Sequence, residues 1–415
     1  MQMVQTEWNH RFARRMQRVK ASAIRELLKV TEMPGTISFA GGLPAPEIFP
    51  VEQIAEVTQR VLRTSGQQAL QYSTTEGYRP LRELLVQHAQ QQGLHVSIDN
   101  ILIVSGSQQG LDLLAKILVD PADRLLVESP TYMGALQAFN AYEPEYIAVP
   151  SDEQGIITDL LEEALQKHPR FIYALPNFQN PTGVTFSLER RQQLVEMAGR
   201  YGVPILEDDP YAQLRFEGEP LPSSLTLENE RQGQMGQRDQ LYHGNVIQLN
   251  TFSKTLTPGL RLGWIVAPTE VIGKLVQVKQ GADLHTATFN QMIAYEIARA
   301  GFLEEHIPII RQTYRQRRDA MLAAMEEYFP AEVHWTRPQG GMFLWVTVPE
   351  GLDTTEMLKD ALEYQVAFVP GASFHPCGGG TNTMRLSYSA AAPQQIEEGI
   401  SRLGRMLHKK LAHLH

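Results

Sequence analysis

The chain has little cysteine, a deficit of positive charge and no long apolar run. Its one cysteine, Cys377, excludes an intrachain disulfide framework and suits a reducing compartment, so the cytoplasm is the expected location. No apolar stretch comes near the ~20 residues needed to cross a bilayer, and no membrane partner is expected. Lys and Arg number 37 against 46 Asp and Glu, a net charge of −9, so the basic field that nucleic acid requires is missing. Internal repeats and low-complexity tracts are also absent. What is present is 415 residues, 43% hydrophobic and 20% charged, the balance of a soluble globular protein with room for two cores.

Arg11, Arg14, Arg15, Arg18 and Lys20 cluster where a mitochondrial presequence would carry its arginines. Trp8, Phe12, Met16, Val19 and Ala23 recur at helical spacing, which favours a docked amphipathic arm running into Ile24-Arg-Glu-Leu-Leu28. Ile37 to Pro50 is dense in Gly and Pro and reads as irregular and extended. From residue 101 seven short apolar runs follow: 101–104, 124–128, 145–149, 171–175, 204–208, 246–249 and 263–267. Several are separated by helical patterns, as in an α/β unit whose mainly parallel sheet is covered by helices on both faces. Residues 216–244 turn polar and read as a surface excursion. A helix from about Pro308 to Tyr328 leads to strands at 332–336, 342–348, 366–369 and 384–388, a smaller α+β unit. The expected division is an arm over 1–50 that joins the small unit and covers the site, a large domain over 51–305, and a small domain over 306–415.

Ligands of such sheets bind at the carboxyl ends of the strands, and the chemically suggestive residues follow the apolar runs. Lys254 lies between hydroxyls in Asn250-Thr-Phe-Ser-Lys254-Thr, with Arg261 seven residues on. A lysine can form a Schiff base when its amine is held neutral, and arginine matches phosphate oxygens in a two-pronged way. Ser107 and Gln108 open a helix after a small-residue loop, a position that suits phosphate. Tyr132 follows the next run, and Asn180 stands in an Asn-Pro-Thr-Gly turn. Asp208 ends another run in Leu206-Glu-Asp208-Asp-Pro-Tyr211. A buried carboxylate there needs a cation, which a protonated pyridine nitrogen would supply; the competing reading is a helix cap made by Asp208 or Asp209. Arg385 sits inside a strand pattern and would hold a substrate carboxylate if it faced the cleft.

Tyr72, Ser-Gln, Tyr132, Asn-Pro-Thr-Gly, Asp208 to Tyr211, Ser-Lys254, Arg261 and Arg385, in that order, resemble the fold type I pyridoxal-phosphate aminotransferases of class I/II. The resemblance spans nearly the whole chain. Phe39-Ala-Gly-Gly-Leu-Pro, Gln71-Tyr-Ser-Thr-Thr-Glu-Gly-Tyr, Lys279-Gln-Gly-Ala-Asp-Leu-His-Thr and Gly340-Gly-Met-Phe-Leu-Trp are most similar to the 2-aminoadipate/kynurenine group. The resemblance implies pyridoxal 5'-phosphate as cofactor, with no metal, and a fold of a large domain with a mainly parallel seven-stranded sheet plus a small α+β domain. It implies that Lys254 bonds the cofactor carbonyl and moves the substrate proton, and that Asp208 keeps the pyridine nitrogen protonated. Asn180 and Tyr211 would hydrogen-bond the ring oxygen and Tyr132 would stack on the ring. Ser107, Gln108, Thr251, Ser253 and Arg261 would hold the phosphate, with Tyr72 reaching in from a second copy of the chain in a homodimer. Many relatives have serine at the position of Thr251, and the shared hydroxyl is expected to keep the contact.

For the substrate, the resemblance implies that Arg385 and Asn180 take the α-carboxylate, that Gly42 gives close passage, that Tyr72 also touches the substrate, and that Arg25 meets a distal carboxylate. The expected reaction moves the amine of an L-2-amino acid (2-aminoadipate, glutamate, aromatic or branched-chain) to a 2-oxo acid such as 2-oxoglutarate, in a ping-pong cycle. Two rivals belong beside it. One is the aminotransferase-like effector domain of a transcription regulator, disfavoured because only about forty residues precede Gly41, too few for a typical DNA-binding domain. The other is a lyase or decarboxylase using the same cofactor.

Overall fold

The computed structural model describes residues 8–19, 35–234 and 241–413. Its strands, in chain order, begin with β1 (Ile37–Ser38), β2 (Ile101–Val104), β3 (Arg124–Ser129), β4 (Glu145–Asp152) and β5 (Gly155–Ile156). Then come β6 (Ile172–Ala174), β7 (Ile205–Asp208), β8 (Val246–Thr251) and β9 (Gly263–Val266). The remainder are β10 (His334–Trp335), β11 (Phe343–Thr347), β12 (Val366–Ala367), β13 (Val369–Pro370) and β14 (Thr383–Ser387).

All seven apolar runs become strands of one sheet, ordered β2-β9-β8-β7-β6-β3-β4-β5. The eighth strand, β5, is a short antiparallel return on β4 that the runs did not announce. From β8 to β4 every pairing is parallel, while β9 runs antiparallel to both of its neighbours. Strands β2, β8, β7, β6 and β3 therefore end on one edge of the sheet, and β9 begins there. Side chains alternate strictly between two buried layers: Ile101, Leu126, Ile172, Ile205 and Val246 on one face, and Leu102, Leu125, Tyr173, Leu206 and Ile247 on the other. Helices cover both faces, which explains why the strands read as continuous apolar runs.

The second sheet is antiparallel, ordered β10-β11-β14-β13. The expected single strand at 366–369 divides into β12, which pairs in parallel with β1 (Ile37 opposite Val366), and β13, which pairs with β14. The segment before Pro50 is thereby stitched to this second sheet. The long helix begins earlier than expected, at Phe302, carries Pro308 in its second turn and ends at Tyr328. It packs against the C-terminal helix Pro393–Leu411. A separate apolar core joins both helices and this sheet, and Phe39, Phe178, Tyr211 and Leu214 belong to it.

Two expectations need correction. The N-terminal stripe does not form a packed helix over its described part: Trp8–His10 and Arg14–Gln17 are short 3-10 turns, and Trp8, Phe12, Met16 and Val19 are exposed. A helix of this length needs an apolar face to bury. Here the contacts are polar instead, Arg14 to Glu143 (2.8 Å) and Arg18 to the Pro144 carbonyl (2.9 Å). Ala23 and Arg25 lie outside the described residues. The polar stretch after Phe216 is also more than an excursion. It contains the helix Ser224–Gln232, whose buried Glu228 accepts from the Asn245 and Val246 N–H groups and so anchors the start of β8. Among the described residues no helix is long and apolar enough to cross a membrane.

Candidate active site

The converging strand ends carry the site. Leaving β2, Gly106 takes φ +83° and starts the helix Ser107–Leu118 with no side-chain cap, so its leading N–H groups are left for a ligand. A Cβ on Gly106 would lie 2.5 Å from Arg261 Nη2, and one on Gly263 would lie 3.0 Å from the Ser107 nitrogen. The two glycines keep this pocket open. Arg261 reaches it because its own backbone is left-handed (φ 52°), closing the 3-10 turn Pro258–Leu260, and its guanidinium lies 3.4–3.5 Å from the Pro258 and Ser105 carbonyls. The Gln108 amide donates to the Gly134 carbonyl (2.7 Å), leaving its backbone N–H for an anion. The Thr251 hydroxyl turns inward, 3.0 Å from the Leu262 carbonyl and 2.8 Å from the Ser253 hydroxyl, while accepting the Ser253 N–H. It lies directly beside Ser253.

Asp208, 2% exposed at the end of β7, has one oxygen bonded and one free. Oδ2 accepts from the Tyr173 hydroxyl at 2.9 Å, and Oδ1 is buried without a partner. Burial pushes its carboxyl up to about 7, against the pull of the Tyr173 hydrogen bond. The capping alternative belongs to Asp209, whose carboxylate accepts from the Ala212 N–H (3.1 Å) and from Asn177 (3.0 Å). The neighbouring aspartates thus divide the two readings between them.

Arg385 is fully buried in β14 and faces inward. It donates to Asn180 Oδ1 (2.8 Å) and to the Ala40 carbonyl (2.7 Å), and its Nε has no partner. Its guanidinium carbon lies 4.3 Å from the centre of the Phe343 ring and 5.3 Å from that of Phe374. Burial lowers its pKa to about 10. Tyr132 and Tyr211 are close enough to feel Asp208 and Arg385, and burial raises both hydroxyls, Tyr132 to about 12.

Lys254 donates to the Gly42 carbonyl at 3.2 Å, and a Cβ on Gly42 would meet the Phe343 ring at 2.8 Å. Burial draws the lysine amine from 10.5 down to about 8, with Arg385 and Arg261 adding repulsion. A cost to folding follows. Below about pH 8 the folded chain must hold a charged amine in a poor environment; above 10.5 the amine is neutral in both states and the cost disappears. Cofactor-free Lys254→Met is therefore expected to be more stable than cofactor-free wild type at pH 7, with the gap closing as pH rises from 8 to 10.5. Urea unfolding across that range measures it, and a gap independent of pH would refute the assignment.

Lys254, Asp208, Asn180, Tyr211, Tyr132, Arg261, Ser107, Gln108, Ser253 and Arg385 are thus brought to one cleft, with Gly42 at its rim. Tyr72 is not: it is 78% exposed, its ring edge-on to His285 at 5.9 Å. Sequence reasoning did not single out Tyr173, Phe343, Phe374 or Ala40. Ala40, Phe343 and Lys279 lie in segments that carry the resemblance but were given no role of their own. The fully buried Lys279 pairs with Asp283 (2.6 Å), whose carboxylate accepts from Ser105 and Gln109 beside the uncapped helix start. Only spacing in three dimensions marks these residues.

A poised lysine, an anion cradle built by glycines, an orphaned buried carboxylate oxygen and a carboxylate-binding arginine fit pyridoxal phosphate. They define a cofactor-dependent enzyme of fold type I. Residues 40–403 match the family model described as aminotransferase class I and II, and the chain belongs to that family. It is 47% identical over 406 residues to the 2-aminoadipate transaminase of Thermus thermophilus, covering 98% of each chain. It is 46% identical over 400 residues to aromatic-amino-acid aminotransferase 1 of Thermococcus litoralis, covering 95% of this chain and 93% of that one. The solved structure of LysN, the alpha-aminoadipate aminotransferase of Thermus thermophilus complexed with N-(5'-phosphopyridoxyl)-L-leucine, superposes with a TM-score of 0.89 at 46% identity, covering 98% of this chain and 100% of that one. The protein is a pyridoxal-phosphate-dependent aminotransferase.

Proposed function

We propose that the enzyme moves the amino group of dicarboxylic and large apolar L-2-amino acids to 2-oxoglutarate or a similar 2-oxo acid. The observation that carries the reading is the buried Arg385 beside Asn180 and Lys254, a carboxylate clamp next to a lysine of lowered pKa. The substrate names come from the relatives, of which one acts on 2-aminoadipate and another on aromatic amino acids.

The chemistry pyridoxal phosphate supplies when bound is a carbonyl carbon for the amine and a ring that accepts electrons from the substrate's Cα. Lys254 holds the cofactor and then, as a free amine, carries the proton between Cα and the cofactor. Asp208 offers its free oxygen to the ring nitrogen and keeps that nitrogen protonated. Asn180 has its oxygen committed to Arg385, so its amide nitrogen is left to donate to the ring oxygen beside Tyr211. Tyr132 covers the ring face. The Ser107 and Gln108 N–H groups, Thr251, Ser253 and Arg261 hold the phosphate, with Thr251 also hydrogen-bonded to Ser253. Donor and acceptor use the clamp in turn, and the enzyme retains the amine between the two half-reactions, which makes the cycle ping-pong. A donor added alone should convert the bound cofactor to its amine form; release of carbon dioxide or ammonia instead would indicate a decarboxylase or lyase.

Arg25 is the proposed partner of a distal carboxylate. Arg25→Ala should lower kcat/KM for 2-aminoadipate and glutamate by on the order of tenfold to a hundredfold, the share of one charged hydrogen-bonded contact, with aromatic donors little changed. A donor panel against 2-oxoglutarate decides, and equal losses for all donors would remove Arg25 from the pocket.

The division into an arm over 1–50, a large domain over 51–305 and a small domain over 306–415 accords with the two sheets and with the β1–β12 pairing. We place the enzyme in the cytoplasm as a homodimer, with Tyr72 of each copy completing the other's phosphate site. Exposed Leu70, Tyr72 and Leu284, close to one another through the Tyr72–His285 contact, support a self-association surface. Elution at the mass of one chain in size-exclusion chromatography would rule the dimer out.

A further inference from the structure

Tyr173 has been given no contact with cofactor or substrate, yet it is fully buried and, among the described residues, its hydroxyl meets only Asp208. Strands β6 and β7 are parallel, with Tyr173 opposite Leu206. Asp208 lies two residues beyond Leu206, on the same face and about 6.6 Å further along the strand. A tyrosine is long enough to span that step, so its hydroxyl arrives beside the carboxylate at the sheet edge. The ring has no freedom to leave: Phe139 packs edge-on against it at 5.6 Å and against Phe171, two residues before it, at 5.4 Å. The rest of the carboxylate is bare. Among the described residues no cation acts on Asp208, and Oδ1 has no hydrogen-bond partner. Asp209, the adjacent acid, is bound elsewhere and offers only repulsion.

We propose that Tyr173 is a positioning residue for the cofactor: its hydroxyl fixes the rotation of the Asp208 carboxylate so that Oδ1 is presented to the pyridine nitrogen. A buried carboxylate with one oxygen held by a neutral donor stays available as an acceptor without a competing cation, which would otherwise occupy the ring's place. The hydrogen bond also favours the charged form of a carboxyl that burial pushes toward neutrality. The inference rests on Asp208 being the partner of the ring nitrogen.

The test is a double-mutant cycle on the full chain, with the cofactor removed and pyridoxal phosphate titrated back by fluorescence. Tyr173→Phe keeps the ring and drops the hydroxyl. It should weaken pyridoxal phosphate binding by on the order of tenfold, as expected for a hydrogen bond to a charged group. In an Asp208→Asn background the same change should cost less than about twofold, because the carboxylate it acts through is gone. Undiminished binding by Tyr173→Phe would overturn the proposal, and so would an equal loss in both backgrounds, which would make Tyr173 merely structural. Tyr173→Met provides the same comparison should the phenylalanine variant fail to fold. If Asp208→Asn alone binds as tightly as wild type, the reading of Asp208 itself fails; a normal loss there with no effect of Tyr173 removes only this inference.

Discussion

Lys254→Ala is expected to abolish transamination, with turnover reduced on the order of 10⁴-fold or more. The loss combines two functions of one amine, the covalent hold on the cofactor and the transfer of the Cα proton, and proton transfer alone is worth about 10²–10⁴-fold. Among the described residues nothing else in the cleft can replace it. The other nearby cations, Arg261 and Arg385, are guanidinium groups, and arginine keeps its proton under all working conditions. The visible absorbance of the lysine-bound cofactor should vanish in the variant, while phosphate-dependent binding of pyridoxal phosphate persists through Arg261, Ser253 and the start of the Ser107 helix. Normal turnover by the alanine variant would overturn the central assignment.

Replacing Arg385 by methionine is the second large effect, a fall in kcat/KM of roughly 10²–10³-fold, as expected when a two-pronged charged contact to the substrate is lost. Methionine is chosen because it fills a similar volume between Phe343 and Phe374 and avoids a cavity. It leaves Asn180 Oδ1 and the Ala40 carbonyl without their donor, so some stability is lost as well, about 1–3 kcal/mol for each acceptor that water cannot reach. Steady-state kinetics with donor and acceptor varied separately should show both half-reactions impaired, since each substrate carries an α-carboxylate. A defect confined to one of them would mean that Arg385 serves a side-chain carboxylate instead.

Much of this was readable in the sequence because the chemistry sits where chain periodicity changes. Asp208 ends a continuous apolar run and Asn180 and Ser107 follow others, and a polar residue at the end of a buried strand is conspicuous. The runs also announced a sheet covered on both faces. They did not reveal that β9 is reversed, since an apolar run reads the same in either direction. Tyr173 was invisible for a related reason: within an apolar run it looks like core, and only its register against β7 brings its hydroxyl to Asp208. Apolar spacing misled at the N-terminus, where Phe12 and Met16 have the period of a helix but no surface to pack against in the single chain. Tyr72 poses the complementary case, a motif residue exposed in the single chain, whose proposed place is in another copy.

The stretch from Phe39 to Ala45 has a property that follows from its attachments. Phe39 is hydrogen-bonded to β12 and β14, Ala40 to Arg385, Gly42 to Lys254, Leu43 to Ser389 and Ala45 to Tyr314. Five of its seven residues are spoken for by partners in different parts of the molecule. It acts as a gauge of fixed length, tying the carboxylate clamp to the lysine. One added residue would displace its downstream attachments by about 3.3 Å, more than a hydrogen bond tolerates. The segment can therefore tolerate substitution at an exposed position such as Leu43, whereas insertions and deletions between Ala40 and Ala45 are closed to it.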